Sequence, residues 1–205
     1  MESKKGKEVY KYDKLYNREG LITKKNVGTY SYDNANKEQQ QKWDRYGHAN
    51  EGKGHFEEII SMKPSSVLDI GCGWNEMCKN LKPYVSEAVG LDCSCSGADI
   101  IASAHDLPID DKSFDLIISF DCMEHIPEEE VEECFSEFAR VGDRMFLKIA
   151  LQDTTTRIDG ESLHSCVKPK EWWINIAEKY FTIIDTTVER PNTVWESLLI
   201  KGDAK

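Results

Sequence analysis

Seven residues, Val67 to Gly73, read Val-Leu-Asp-Ile-Gly-Cys-Gly and restrict the possible folds more than any other stretch. Apolar residues interrupted by one acid predict a short buried strand, and Gly71 and Gly73 let the chain turn sharply off its end. Without a side chain at that turn, a ligand can come close to the backbone. Asn75 then stands at an N-cap position, and Glu76 to Tyr84 predict a helix whose first N–H groups face whatever sits over the strand end. Taken alone this is any β–turn–α unit. A dinucleotide fingerprint is disfavoured, because G-x-G-x-x-G would need glycine where Glu76 stands.

A second strand, Ala88 to Asp92, ends in an acid about twenty residues past the glycines, where a carboxylate can accept both hydroxyls of a ribose. Glycine turn plus strand-end acid points to a nucleoside-containing cofactor. These two elements, with Asp106-Leu107-Pro108 and Ser113-Phe114-Asp115 in the same order, resemble class I S-adenosylmethionine-dependent methyltransferases of the type 11 kind, over roughly residues 55 to 200. The resemblance implies an α/β, Rossmann-like fold, with a mostly parallel seven-stranded sheet, helices on both faces and an antiparallel C-terminal strand pair. It places Asp69, Gly71, Cys72 and Gly73 around the methionine part of S-adenosylmethionine and Asp92 with Cys93 at the ribose. Ser103, Ala104 and His105 are placed beside the adenine, with Phe120 and Asp121 closing the pocket. It also implies an N-terminal extension or lid, partly irregular, over residues 1–50, ahead of a methyltransferase domain over 51–205.

Charge narrows the acceptor. Residues 1–50 carry 11 Lys+Arg against 7 Asp+Glu, whereas the remaining 155 carry 15 against 30. A body this acidic repels phosphate backbones, so long nucleic acid is not the expected substrate and a small molecule is. The basic arm reads as a solvated terminus, with anionic-ligand binding as the alternative. No apolar run reaches the ~20 residues of a membrane span, and the lysine-rich start lacks the apolar stretch of a signal peptide. Seven cysteines, none in a Cys-x-x-Cys pair, read as reduced thiols of a cytoplasmic protein. Oligomeric state is not legible.

Elsewhere the pattern alternates. Residues 1–34 predict little regular structure; Asn36–Tyr46 and Gly54–Met62 predict helices. The lid that the resemblance implies makes Tyr30, Tyr32, Trp43, Tyr46 and His48 candidates for a pocket roof, and plain packing against the sheet edge is the preferred reading of any one of them singly. Asp99–Ala102, Phe114–Phe120 and Met145–Leu151 predict strands. Pro127, followed by three glutamates, predicts a helix start with its acids solvated. Gln152–Ser165 predicts a polar loop, Lys170–Tyr180 a helix, and Phe181–Val188 with Thr193–Lys201 a final strand pair.

Candidates for chemistry follow the fourth strand, in Asp121-Cys122-Met123-Glu124-His125, with His164 in the loop after the fifth. On a helical turn the first, fourth and fifth of these share a face, so two carboxylates and an imidazole converge. This Asp-x-x-Glu-His with a later His is similar to the Glu-x-x-Glu-His…His arrangement of small-RNA 3′-terminal 2′-O-methyltransferases and to ubiquinone-pathway O-methyltransferases. The resemblance implies Asp121, Glu124, His125 and His164 as ligands of a divalent cation. The alternative is a metal-free site in which Glu124, His125 and His164 handle the acceptor proton. The amino-group signature Asn/Asp-Pro-Pro-Tyr/Phe and the Pro-Cys nucleophile are both absent. The expectation is therefore O-methylation of a small hydroxylated molecule, with a silent cofactor-binding partner subunit or an RNA 2′-O-methyltransferase as rivals.

Overall fold

The computed structural model describes Tyr12, Tyr16, the backbone of residues 21–25 and 28–31, and residues 53–205. The expected helix Asn36–Tyr46 and the side chains of Tyr30, Tyr32, Trp43, Tyr46 and His48 lie outside the described residues.

The core is a seven-stranded sheet. Its strands are β3 (Ser66–Ile70), β4 (Glu87–Asp92), β5 (Ile100–Ile101), β6 (Leu116–Phe120), β7 (Arg144–Ala150), β10 (Phe181–Glu189) and β11 (Ser197–Ala204). They lie in the order β10-β11-β7-β6-β3-β4-β5. The pairs from β7 through β5 are parallel, while β11 runs antiparallel to both β7 and β10. The helices are α1 (Phe56–Ser61), α2 (Glu76–Leu81), α3 (Glu128–Val141) and α4 (Lys170–Tyr180).

Side-chain alternation along the strands decides which helix covers which face. Leu68, Ile70, Ile117, Leu147 and Ile149 point to one side and are buried with Val131, Phe135 and Phe138 of α3 and Trp173 and Ala177 of α4. Val67, Leu116, Ile118 and Phe146 point to the other and are buried with Ile59 of α1 and Cys78 and Leu81 of α2. No helix among the described residues is long and apolar enough to cross a membrane.

Several expectations are corrected. Helix α2 ends at Leu81 rather than Tyr84: Lys82 still keeps helical dihedrals, but Pro83 has no N–H with which to continue the ladder. Of the glutamates opening α3, Glu128 and Glu129 are exposed, but Glu130 is buried, its carboxylate 3.2 Å from Nδ1 of His105. The polar stretch 152–165 is not only loop, and the N-terminal segment is not without regular structure. Strands β1 (Leu21–Lys25), β2 (Gly28–Ser31), β8 (Thr156–Ile158) and β9 (Glu161–Ser162) make a second antiparallel sheet in the order β2-β1-β8-β9. Backbone pairing of Ile22 with Arg157 ties the extension to the arm that leads to His164.

Candidate active site

The parallel strands release their chains at one edge, and the residues singled out from the sequence collect there. After β3, Gly71 and Gly73 take φ of 77° and 52°, values that favour glycine. At Gly71 the crowding comes from inside the protein: a Cβ there would lie 2.4 Å from Sγ and 2.7 Å from Cβ of Cys122. Gly71 N–H and Cys72 N–H both donate to the Leu91 carbonyl, at 2.8 and 3.0 Å, so the turn is fastened to the end of β4.

Asn75 does not cap α2 as expected. It adopts the left-handed region at φ 64° and makes no capping bond. Asparagine tolerates that conformation, so it serves where a glycine would otherwise be needed. Its amide donates to Asp99 at 2.7 Å, and the same carboxylate accepts Gly90 N–H at 2.9 Å. Burial would raise the Asp99 carboxyl, but the bonds from Gly90 and Asn75 prevail and hold it below its ordinary value.

Asp92 is only 5% exposed and is held by four donors. Ser94 N–H and Cys95 N–H reach Oδ1 at 3.0 and 2.9 Å; Gly73 N–H and the Tyr16 hydroxyl reach Oδ2 at 3.0 and 3.2 Å. Asp69, one strand over, is pushed up to about 7, first by burial and then by the negative charge of Asp92. Burial likewise raises the thiols of Cys72 and Cys122, which stay protonated. None of the seven cysteines is in a disulfide.

Beyond β6 a single 3-10 turn, Met123–His125, aims Glu124 and His125 inward. Glu124 is fully buried, and its carboxylate oxygens make no well-formed hydrogen bond among the described residues. Burial followed by the Asp121 charge lifts its pKa well above the ordinary value, despite the nearby backbone N–H groups of Glu124 and Ala150. A carboxylate in that position costs several kcal/mol unless a cation or a proton compensates it, on the order of a buried unpaired charge. Nδ1 of His125 lies 3.0 Å from the Leu163 carbonyl and Nδ1 of His164 lies 2.8 Å from the Gln152 carbonyl. A carbonyl only accepts, so each Nδ1 carries the proton and Nε2 is the basic nitrogen of each neutral ring. Burial holds His164 below its ordinary pKa. Ligand atoms of Glu124, His125 and His164 lie within 4.8 Å of one another.

Asp121 does not join them. It sits at φ 50° with its carboxylate 2.5 Å from Nζ of Lys148 on β7, which removes it from the expected ligand set. His105 is buried with its ring turned to Glu130, and Ser103 and Ala104 before it are half-buried. The Phe120 ring stacks on His55, centroids 5.6 Å apart. Cys93 is half-buried beside Asp92.

Residues that sequence reasoning passed over are Tyr12, Tyr16, Trp74 and Lys148. The lysine carried a signal, a charge inside the apolar run of β7. The tyrosines carried a weaker one, i,i+4 spacing in a polar segment. Tyr16 stands edge-on to Trp74 at 6.1 Å, Tyr12 edge-on to His125 at 5.8 Å, and His125 edge-on to His164 at 4.7 Å.

Residues 68–144 match the family described as Methyltransferase domain. Ajmaline N-methyltransferase of Rauvolfia serpentina is 29% identical over 93 residues, covering 37% of this chain but only 32% of that protein. Among solved structures, the PH0226 protein of Pyrococcus horikoshii OT3 is similar with a TM-score of 0.63 at 19% identity, covering 79% of this chain and 92% of that one. The 1,6-didemethyltoxoflavin-N1-methyltransferase of Burkholderia thailandensis, solved with 1,6-didemethyltoxoflavin and S-adenosylhomocysteine bound, gives a TM-score of 0.63 at 12% identity, over 81% and 83% of the two chains. At these identities the two structures speak for the fold.

Proposed function

The chain carries a class I S-adenosylmethionine-dependent methyltransferase domain, and on that premise we propose that it methylates a hydroxyl oxygen of a small molecule, with Glu124, His125 and His164 taking up the acceptor proton. The observation that carries this reading is the cluster itself. An alcohol must shed a proton as it attacks, whereas an amine can attack as the free base. Two imidazoles, each with its Nδ1 proton on a carbonyl, beside a carboxyl of raised proton affinity therefore suit an oxygen acceptor. The relatives named as N-methyltransferases act on nitrogen, which makes the acceptor atom the finest part of the proposal.

The strand edge fits the cofactor. S-adenosylmethionine brings a ribose diol and two cationic groups. Asp92 supplies the acceptor for the diol, and Asp69 supplies a carboxyl whose raised pKa falls when a cation approaches. Gly71, Cys72 and Gly73 frame the methionine part, Cys93 borders the ribose, and Ser103, Ala104 and the His105 backbone border the adenine. Phe120 and the Asp121 backbone close the side toward the acceptor. Methyl transfer from a sulfonium is an in-line displacement, so these groups act mainly by fixing the donor against the acceptor.

The cluster also fits a divalent cation. A buried carboxylate and two imidazoles with Nδ1 protons engaged by carbonyls make a mixed oxygen and nitrogen set with orienting partners for both rings in place. When bound, such a cation lowers the pKa of an acceptor hydroxyl. Without it, His164 is the base, neutral at physiological pH because burial depresses its pKa. Seven cysteines with no disulfide among them suit a reducing compartment such as the cytoplasm.

The test is turnover with labelled S-adenosylmethionine against panels of hydroxylated and amine-bearing small molecules, with and without a chelator. Transfer to a hydroxyl that stops on chelation and returns with Mn²⁺ supports the full reading, and chelator-insensitive transfer supports the His164 base. Transfer to amines alone contradicts the oxygen assignment. Salt-sensitive transfer to RNA in preference to every small molecule contradicts the small-molecule assignment.

A further inference from the structure

We propose that Lys148 sets the composition of the cation site: by holding the Asp121 carboxylate it leaves Glu124, His125 and His164 as a three-ligand set with coordination positions open. This rests on the reading of that cluster as a cation site and goes beyond it, because it gives a specificity-determining role to a lysine outside the cluster.

Lys148 stands where a lysine is costly. It lies in β7 between Phe120 of β6 and Leu199 of β11, and its chain neighbours Leu147 and Ile149 are fully buried. Its side chain is only 16% exposed, and Asp121 supplies the counter-charge at 2.5 Å. An ion pair this deep gives little net stability over apolar residues of the same volume, so packing alone does not call for it. Asp121 is held twice, because its N–H also donates to the Lys148 carbonyl at 2.9 Å. Its backbone takes a left-handed φ of 50°, a region that aspartate enters more readily than most residues, and its carboxylate is turned back onto β7.

What the pairing withholds is a fourth ligand. After burial, the Asp121 charge is the next influence that raises Glu124; at His164, where burial prevails and lowers the pKa, the same charge pulls the other way. The Asp121 carboxylate therefore borders the cluster, yet it is not among the groups whose ligand atoms lie within 4.8 Å of one another. Lys148 acts on Glu124 in the opposite sense to Asp121. The lysine thus weakens cation binding in two ways, by occupying one carboxylate and by setting a positive charge near another. Sites closed by protein ligands serve structure, whereas those that keep an open position serve catalysis. A cation held by three side chains keeps more positions for water or substrate than one held by four.

The experiment is titration of the full chain, Lys148→Met and Lys148→Met/Asp121→Asn with Mn²⁺, read by calorimetry and by water-proton relaxation, which reports the waters left on the bound ion. Lys148→Met keeps the apolar stem and frees Asp121. The double variant returns the net charge of the pair to zero without supplying a carboxylate. Lys148→Gln, neutral but polar at its tip, is titrated alongside and is expected to change binding in the same direction as Lys148→Met. The expected result is Mn²⁺ binding about 10-fold tighter in Lys148→Met, the scale on which a metal site responds to one group, with fewer bound waters. The double variant is expected to match wild type in both. Equal or weaker binding by Lys148→Met and Lys148→Gln overturns the role of Lys148. Tighter binding with unchanged bound water also overturns it, since the lysine would then act by charge alone, and so does a double variant as tight as Lys148→Met. Absence of Mn²⁺ binding by every protein overturns instead the cation reading on which it rests.

Discussion

Asp69, next to last in β3, and Asp92, at the end of β4, lie on neighbouring parallel strands, Asp92 two residues past Gly90, the register partner of Asp69, and the charge on Asp92 adds to burial in raising Asp69 to about 7. Between its ordinary value of 3.8 and about 7, the folded protein holds a proton that the unfolded chain has released. This contribution to stability is complete below the lower value and fades as pH rises to the upper one. Asp69→Asn is therefore expected to gain stability over wild type at about pH 8, on the order of 3 kcal/mol, and little at about pH 4. Denaturant melts at both pH values check it; a difference independent of pH contradicts it.

Gly71 is required by the protein before any ligand is considered. Gly71→Ala places a methyl against Cys122 and forces alanine to φ of 77°, so a loss of about 2–3 kcal/mol is expected. Adding Cys122→Ala should not restore it, because the Cβ of residue 122 already lies 2.7 Å from the new methyl position. Thermal unfolding of the single and double variants measures both; full rescue by Cys122→Ala contradicts the packing account.

His125→Ala and His164→Ala each remove one nitrogen from the Glu124 cluster without touching the glycine turn. Each is expected to weaken Mn²⁺ binding about 10–100-fold, in the range seen when a metal site loses orienting or ligating groups. Affinity for S-adenosylhomocysteine should change little. Titration with Mn²⁺ alone, followed by S-adenosylhomocysteine, separates the two. Unchanged Mn²⁺ affinity in both variants contradicts the cation site.

The strands and helices of the main sheet were legible because their signals are local. The alternating core of β3, β6 and β7 and the apolar face of α3 each lie within one short window. The glycine turn was legible because positive φ restricts those positions to few residue types, and the place of Asp92 at a strand end because the apolar run stops there. The second sheet was not legible: β1 and β8 are short and polar, and they meet across more than a hundred residues of sequence. The same holds for Glu130, which looks solvated beside Glu128 and Glu129 until His105 arrives from another segment. Lys148 took Asp121 out of the expected ligand set by a contact between strands that no spacing rule anticipates. Tyr16 was passed over because its partner, Asp92, is 76 residues away.

The central claim is that the strand edge around Asp92 holds S-adenosylmethionine. Calorimetric titration of wild type and Asp92→Ala with S-adenosylhomocysteine tests it without knowledge of the acceptor. Saturable one-to-one binding is expected for wild type, weakened in the variant by on the order of 2 kcal/mol, the worth of hydrogen bonds to a charged acceptor. The variant also frees the amides of Gly73, Ser94 and Cys95, so its folding is confirmed by circular dichroism before titration. No binding by wild type at millimolar ligand, or the same affinity in a folded Asp92→Ala, would contradict the account.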